Sequence, residues 1–209
     1  MLRKNGKTGD SFMTVEIKQV DLDLLAAYAA IPISFTVESI LRVDVIGGGL
    51  GGLALVEEKA DPPYVKYYGQ DSDDDSDSPT AWPQQFDVSR WGIFLAYDRP
   101  RPVGGAAVAI DTPGLNVLED RRDLAVLWDI RVCSDQRGRG IGTALLRHAA
   151  GWARQLGCTQ LKIETQNVNV PACRFYAGQG CTLGAIHRYG YAACPPVAHE
   201  AMLLWYLDL

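Results

Sequence analysis

LAVLWDIRVCSDQRGRGIGTALL, residues Leu124–Leu146, is the stretch whose reading decides the fold. Leu124, Val126, Trp128, Ile130 and Val132 alternate, and Ala125 and Leu127 make the start nearly continuous in apolar character. That is the pattern of a strand covered on both faces. Ser134 and Asp135 begin a turn, and Arg137-Gly138-Arg139-Gly140-Ile141-Gly142 leads into a helix opening on Thr143-Ala144-Leu145-Leu146. Glycines let a backbone pass close to a ligand with its N–H groups turned outward. The first-turn amides of a helix have no partner and carry partial positive charge, so the two features together make a phosphate site. Arg137 and Arg139 add formal charge. Strand, glycine turn and helix can also be plain punctuation, but the spacing Arg-x-x-Gly-x-Gly in that context is more specific.

Outward from this stretch, Gly142–Leu156 carries Ala144, Leu145, His148, Ala149, Trp152, Ala153 and Leu156 at three- and four-residue spacing, a helix ended by Gly157. His148 on that stripe reads as a packed histidine. Leu161–Thr165 is the next strand, and a strand–helix–strand unit of this length implies a parallel pair with a right-handed crossover. Asn169–Gln179 reads as a short helix stopped near Gly180, and Thr182–Tyr191 and Ala201–Leu207 as two further strands joined through Cys194-Pro-Pro.

Before it, residues 1–12 read as a polar tail and 13–209 as one domain. Met13–Lys18 reads as a strand, Asp21–Ala30 as a helix with Asp21 at its N-cap, and Phe35–Val45 as a strand. Trp91–Tyr97 and Val103–Ile110 form a hairpin, followed by a loop over Thr112–Asp120. Pro62–Tyr68 reads as an extended connector. The run at 71–78, rich in Asp and Ser, reads as a solvated acidic loop, with steering of a cationic ligand as its alternative; it lacks the glycine and terminal glutamate of a calcium loop. Gly47, Gly49 and Gly52 fit the dinucleotide pattern G-x-G-x-x-G. Only the short apolar run Leu53–Val56 follows before Asp61-Pro-Pro, so a glycine-rich turn between two strands is the better reading, with a dinucleotide-binding oxidoreductase as the alternative.

The 209 residues are 47% hydrophobic and 22% charged with a net charge of −5. That balance fits a globular chain and argues against nucleic acid, which needs a basic face. It is compatible with cationic substrates. Cys133, Cys158, Cys173, Cys181 and Cys194 form no CxxC pair, so reduced thiols in the cytoplasm are expected. No apolar run reaches the roughly 18 residues of a membrane span, and no metal site is expected.

Arg137, Gly140 and Gly142 resemble the pyrophosphate motif of the GNAT superfamily of acyl-CoA-dependent N-acetyltransferases, and Asn169-Val-Pro-Ala-Cys-Arg-Phe-Tyr176 resembles its second signature. Within that superfamily the sequence is similar to the streptothricin acetyltransferase type, through Glu164-Thr-Gln-Asn167, Pro63-Tyr-Val-Lys66 and Leu204-Trp-Tyr-Leu207. The segment Ile186–Tyr191 departs from that type. The resemblance implies an α/β fold with a mixed, mostly antiparallel sheet, a splayed central parallel pair and helices on both faces.

It also implies acetyl-CoA, with the diphosphate on the N–H groups of Gly138, Arg139, Gly140, Ile141, Gly142 and Thr143. The pantetheine arm is then expected along the main chain of Ile130, Arg131 and Val132, beside Asn169 and Ala172. Tyr176 is the expected general acid for the departing thiolate. Two carboxylates, Asp129 and Glu164, could take the amine proton or bind a cationic acceptor, and which faces the pocket depends on register. Glu164 ranks ahead because it lies in the streptothricin-type pattern. The expected acceptor is a small cationic amine; a protein amine and a non-catalytic acyl-CoA sensor remain alternatives. A homodimer is compatible with the chain.

Overall fold

A seven-stranded sheet in the order β1-β4-β5-β6-β7-β9-β8 carries the site, and a separate two-stranded hairpin, β2–β3, lies beside it. The computed structural model describes residues 15–68 and 78–209. The expected tail at 1–12, the start of the first expected strand and nearly all of the acidic run lie outside these. In chain order the elements are β1 (Glu16–Gln19), α1 (Leu25–Ala29), β2 (Ser34–Val45), β3 (Leu53–Tyr67), α2 (Trp82–Gln85), β4 (Gly92–Asp98), β5 (Arg101–Ile110) and β6 (Leu124–Val132). Then follow α3 (Ile141–Gln155), β7 (Gln160–Gln166), α4 (Val170–Gly178), β8 (Thr182–His187) and β9 (Met202–Asp208).

Every pairing is antiparallel except β6 with β7. The parallel pair is short. It holds from Leu124↔Gln160 to Leu127↔Ile163, after which β6 stays with β5 as far as Gly104↔Val132, while β7 stays with β9 as far as Gln166↔Met202. The two strands therefore part beyond Leu127 and Ile163, as the resemblance implies.

Apolar side chains fill both faces of the sheet. On one, Leu145, Leu146, Ala149 and Ala153 of α3 and Cys173 and Tyr176 of α4 pack on Ala106, Val108, Leu161 and Ile163. On the other, Leu25 and Tyr28 of α1 and Trp82 of α2 join Trp91, Leu95, Ala107 and Val126. Leu145 and Leu161 are fully buried, and truncating either to alanine should cost about 2–5 kcal/mol.

Four expectations are corrected. The core face of α3 is rotated from the expected stripe: Ile141, Leu146 and Ala150 are buried, His148 is exposed with its ring edge on Phe94, and Leu156 is 51% exposed. Leu156 follows the last helical turn, so the 3.6-residue spacing no longer holds it to the sheet. The helix expected over 21–30 is a 3₁₀ turn (Leu22–Leu24) running into α1, and the Asp21 side chain caps nothing. The connector expected at Pro62–Tyr68 is the second half of β3: the ladder breaks between Val37 and Ser39, where Ala60–Pro63 swing out, and resumes with Val37↔Tyr64. Two successive prolines supply no N–H, so the ladder can pass them only through such an irregularity.

The fourth concerns β6. Its register against β5 slips between Ala107 and Val108, a bulge at Trp128. Val126 and Trp128 consequently pack with the α1 and α2 side chains, whereas Ile130 and Val132 pack toward α3. One extra residue in a strand exchanges the faces beyond it. The alternation read from Leu124 to Val132 is not one continuous face.

Asn167 ties the hairpin to the sheet. Its backbone oxygen and Nδ2 meet Leu41, and its Oδ1 accepts from the Ala201 N–H at 2.8 Å. A buried Lys66–Glu200 ion pair makes a second joint between β3 and the approach to β9.

Candidate active site

Between β6 and α3 the chain makes a 3₁₀ turn (Ser134–Gln136) and then two left-handed glycines, Gly138 at φ 76° and Gly140 at φ 81°. Only glycine takes such angles without strain. Arg137 N–H is directed to Ser134 O, and Ala144 N–H closes the first helical bond on Gly140 O. Among the described residues, the consecutive N–H groups from Gly138 to Thr143 donate to no protein acceptor. Gly138, Arg139 and Gly140 are exposed. A run of free donors at the positive end of a 15-residue helix is a strong anion cradle.

The two arginines of the turn differ. Arg137 donates to Val132 O at 3.2 Å and to Ser34 O at 2.6 Å, pinning the end of β6 to the start of β2 beside the amides. Arg139 is directed to Gln136 and lies 4.0 Å from Asp98, off the cleft. Its side-chain charge is thereby turned away from the cleft, while its N–H belongs to the free run.

The cradle opens into a cleft of about 1280 Å³, larger than the roughly 300–1,000 Å³ of a usual small-ligand pocket. The cleft runs along Ile130, Arg131 and Val132, where β6 has lost its β7 neighbour, and past Asn169 and Ala172 at the start of α4 to Tyr176. It continues to Glu164, Tyr191, Trp82, Phe86 and Trp128. Asn169 caps α4: its Oδ1 accepts from the Ala172 N–H at 3.2 Å, while its Nδ2 reaches Tyr68 Oη at 3.3 Å.

Tyr176 is 4% exposed, yet it lines the cleft and its hydroxyl meets no protein partner among the described residues. Burial first, and the nearby Asp129 charge second, push its pKa up, so the phenol is fully protonated.

The two carboxylates stand in different surroundings. Asp129 accepts from Tyr28 Oη at 2.6 Å and takes Arg131 in a two-pronged pair, Nε to Oδ1 at 2.9 Å and Nη2 to Oδ2 at 2.6 Å. Arg131 also donates to Ile31 O and lies over the Tyr28 ring. The bulge at Trp128 makes this possible by turning Asp129 and Arg131 to the α1 face. Gly105 makes room: a Cβ there would stand 2.5 Å from the Tyr28 ring. Both oxygens of Asp129 are thus engaged and its charge is matched, which suits a structural joint better than either role left open for it, proton acceptor or partner of a cationic acceptor. Glu164 is exposed to the cleft, and its one hydrogen bond among the described residues comes from Tyr191 Oη at 2.7 Å. Burial of Tyr191 and then the Glu164 charge push that phenol up as well.

The family model for the Acetyltransferase (GNAT) family matches residues 54–181. Streptothricin acetyltransferase A of Bacillus subtilis (strain 168) is 32% identical over 156 residues, covering 75% of this chain and 80% of that protein. This chain belongs to the GNAT family. It is an N-acetyltransferase, and acetyl-CoA is its family's cosubstrate. The solved structure of a nourseothricin acetyltransferase is 27% identical, with a TM-score of 0.69 over 93% of this chain and 98% of its own. A Bacillus anthracis protein solved in complex with acetyl coenzyme A shares the fold, with a TM-score of 0.72 at 22% identity over 94% of this chain and the whole of its own.

The GNAT site here fits such a cosubstrate on its own geometry, because an anion can take the unpartnered amides and an extended amide chain can line an unpaired strand edge. Three groups were not singled out from sequence. Tyr28 and Tyr191 reach the carboxylates from 101 and 27 residues away, and the aromatic wall sets Trp82 and Phe86, from the two ends of α2, beside Trp128 of β6. Nothing local in the sequence marks these contacts. Among the described residues no group of three or more His, Cys, Asp or Glu stands together as metal ligands would, and no described helix is long and apolar enough to cross a membrane.

Proposed function

We propose that this enzyme moves an acetyl group from acetyl-CoA to a primary amine of a small cationic molecule of the streptothricin class, by direct attack with both substrates bound. The observation that carries this reading is continuity: one cleft runs from the free amides of Gly138–Thr143, past the parted strands and Tyr176, to Glu164. Two substrates can therefore meet without a covalent enzyme intermediate. The likeness to streptothricin acetyltransferase A supports the acceptor class.

Acetyl-CoA supplies a thioester whose carbonyl carbon is the electrophile and whose thiolate departs. The amides of Gly138–Thr143 hold the diphosphate, with Arg137 adding charge. The free main-chain edge of Ile130–Val132 pairs with the pantetheine arm, and an N–H there polarises the carbonyl as an oxyanion hole does. Asn169 and Ala172 border that arm. Glu164 accepts the proton of the attacking amine, directly or through water, as the N–C bond forms. Tyr176 gives its hydroxyl proton to sulfur as the C–S bond breaks. Asp129, bound to Arg131 and Tyr28, fixes the strand that presents the oxyanion hole.

A thiol-release assay with acetyl-CoA against streptothricin, polyamines and short peptides tests the reading. Turnover is expected with streptothricin and, more weakly, with polyamines. Binding of coenzyme A with no amine turned over would overturn it in favour of a sensor, and turnover of peptides alone would move the acceptor to proteins.

A further inference from the structure

Glu164 is the first residue of β7 beyond the last β6–β7 pair, Leu127↔Ile163, with Leu204 opposite it on β9. A glutamate at an opened strand edge has a long, freely rotating side chain and needs an external group to fix it. That group comes from the segment 188–201 between β8 and β9. The segment is a succession of turns, with N–H to O contacts from Ala192 to Tyr189 at 3.2 Å, Cys194 to Tyr191 at 2.8 Å, Val197 to Cys194 at 3.0 Å and Glu200 to Val197 at 2.9 Å. It is also anchored at both ends. A Cβ on Gly190 would stand 2.8 Å from Met202 Cβ, so the backbone there lies hard against β9. At the other end Glu200 is buried against Lys66, and Ala201 N–H is held by Asn167. The Tyr191 hydroxyl is delivered from this anchored segment to Glu164 Oε1 at 2.7 Å.

The other charged and titratable groups around Glu164 are occupied elsewhere. Lys162, two residues back on β7, donates to Val117 O and Glu119. Asp129 and Arg131 on β6 neutralise each other, as do Lys66 and Glu200. The Tyr68 hydroxyl, at the end of β3, accepts from Asn169.

We propose that Tyr191 is the positioning residue for the Glu164 carboxylate, its hydroxyl fixing one oxygen while the other is left for the amine. The inference rests on Glu164 being the proton acceptor. A carboxylate held by one anchored donor keeps a single orientation toward the amine, and without it the side chain regains its rotamers. Removing the donor therefore lowers kcat while the grip on the coenzyme is untouched.

The test is kcat and KM measured separately, with acetyl-CoA and streptothricin each varied while the other is saturating. Tyr191→Phe should lower kcat roughly 10-fold and leave KM for acetyl-CoA unchanged. Made in the Glu164→Gln background, the same substitution should cost less than about twofold further; a folding defect would instead lower kcat in both backgrounds alike. Glu164→Gln tests the underlying assignment separately and should lose at least roughly 100-fold in kcat. An inactive Glu164→Gln with kcat unchanged in Tyr191→Phe, or lowered equally in both backgrounds, would overturn the role of Tyr191 and leave the base in place. A fully active Glu164→Gln would overturn both.

Discussion

Two glycine-rich turns among the described residues have left-handed glycines and a G-x-G spacing, and they differ in what their amides do. At the tip of the β2–β3 hairpin, Gly47, Gly48, Gly49 and Gly52 have positive φ. There the amides are used internally: Ile46 donates to Gly52, Leu50 to Gly47, Gly51 to Ile46 and Gly52 to Gly49. Leu50 at the tip is fully exposed, and β3 follows instead of a helix. In the turn after β6, the amides from Gly138 to Thr143 stay free, a 15-residue helix adds its dipole, and the strand before it has lost a neighbour. Glycine gives both turns their shape. What separates a closed hairpin from an anion cradle is where the N–H groups are left pointing and what element comes next.

Four substitutions break or sharpen this contrast. Tyr176→Phe separates grip from chemistry: kcat should fall by roughly 10²–10⁴-fold while KM for acetyl-CoA stays near wild type, measured by steady-state thiol release. Unchanged turnover would remove Tyr176 as the acid. Asp129→Asn asks what holds the strand ahead of the cradle. It leaves the buried Arg131 without its counter-charge and should cost about 3–5 kcal/mol of stability, read by denaturant unfolding. A cost within experimental error would show the pair to be incidental.

Gly140→Val strikes the cradle itself, because a β-branched residue at φ 81° is strained. A strain of roughly 1–3 kcal/mol expressed in the bound geometry should raise KM for acetyl-CoA about 10- to 100-fold. Gly48→Ala places a milder strain at φ 66° in the hairpin turn. It should lower Tm by about 2–4 °C, the equivalent of ~1 kcal/mol, and leave both KM values unchanged. A raised KM for acetyl-CoA in that variant would erase the difference between the two turns.

The strand–turn–helix at Leu124–Leu146 was legible because the apolar run, the glycines and the helical spacing all lie within one short stretch. The fate of Gly47–Gly52 was legible for a related reason: too little helical sequence follows to make a nucleotide fold. Cross-strand register was not legible. The bulge at Trp128 depends on β5, and it sends Asp129 and Arg131 to a face that local alternation does not predict. The Tyr28–Asp129 contact joins residues far apart in the chain, and Tyr191 comes from a segment of turns with no periodicity. The sequence therefore named both carboxylates, and only the fold distinguished the engaged one from the one open to the cleft. The second half of β3 was obscured by Pro62 and Pro63, which normally end a strand and here interrupt one.

Backbone amide resonances followed while coenzyme A is titrated into the protein test the central claim most directly. The account predicts large, saturable shifts at Gly138–Thr143 as their N–H groups take the diphosphate, with Gly47–Gly52 unmoved. Saturable shifts elsewhere while Gly138–Thr143 stay fixed would contradict it.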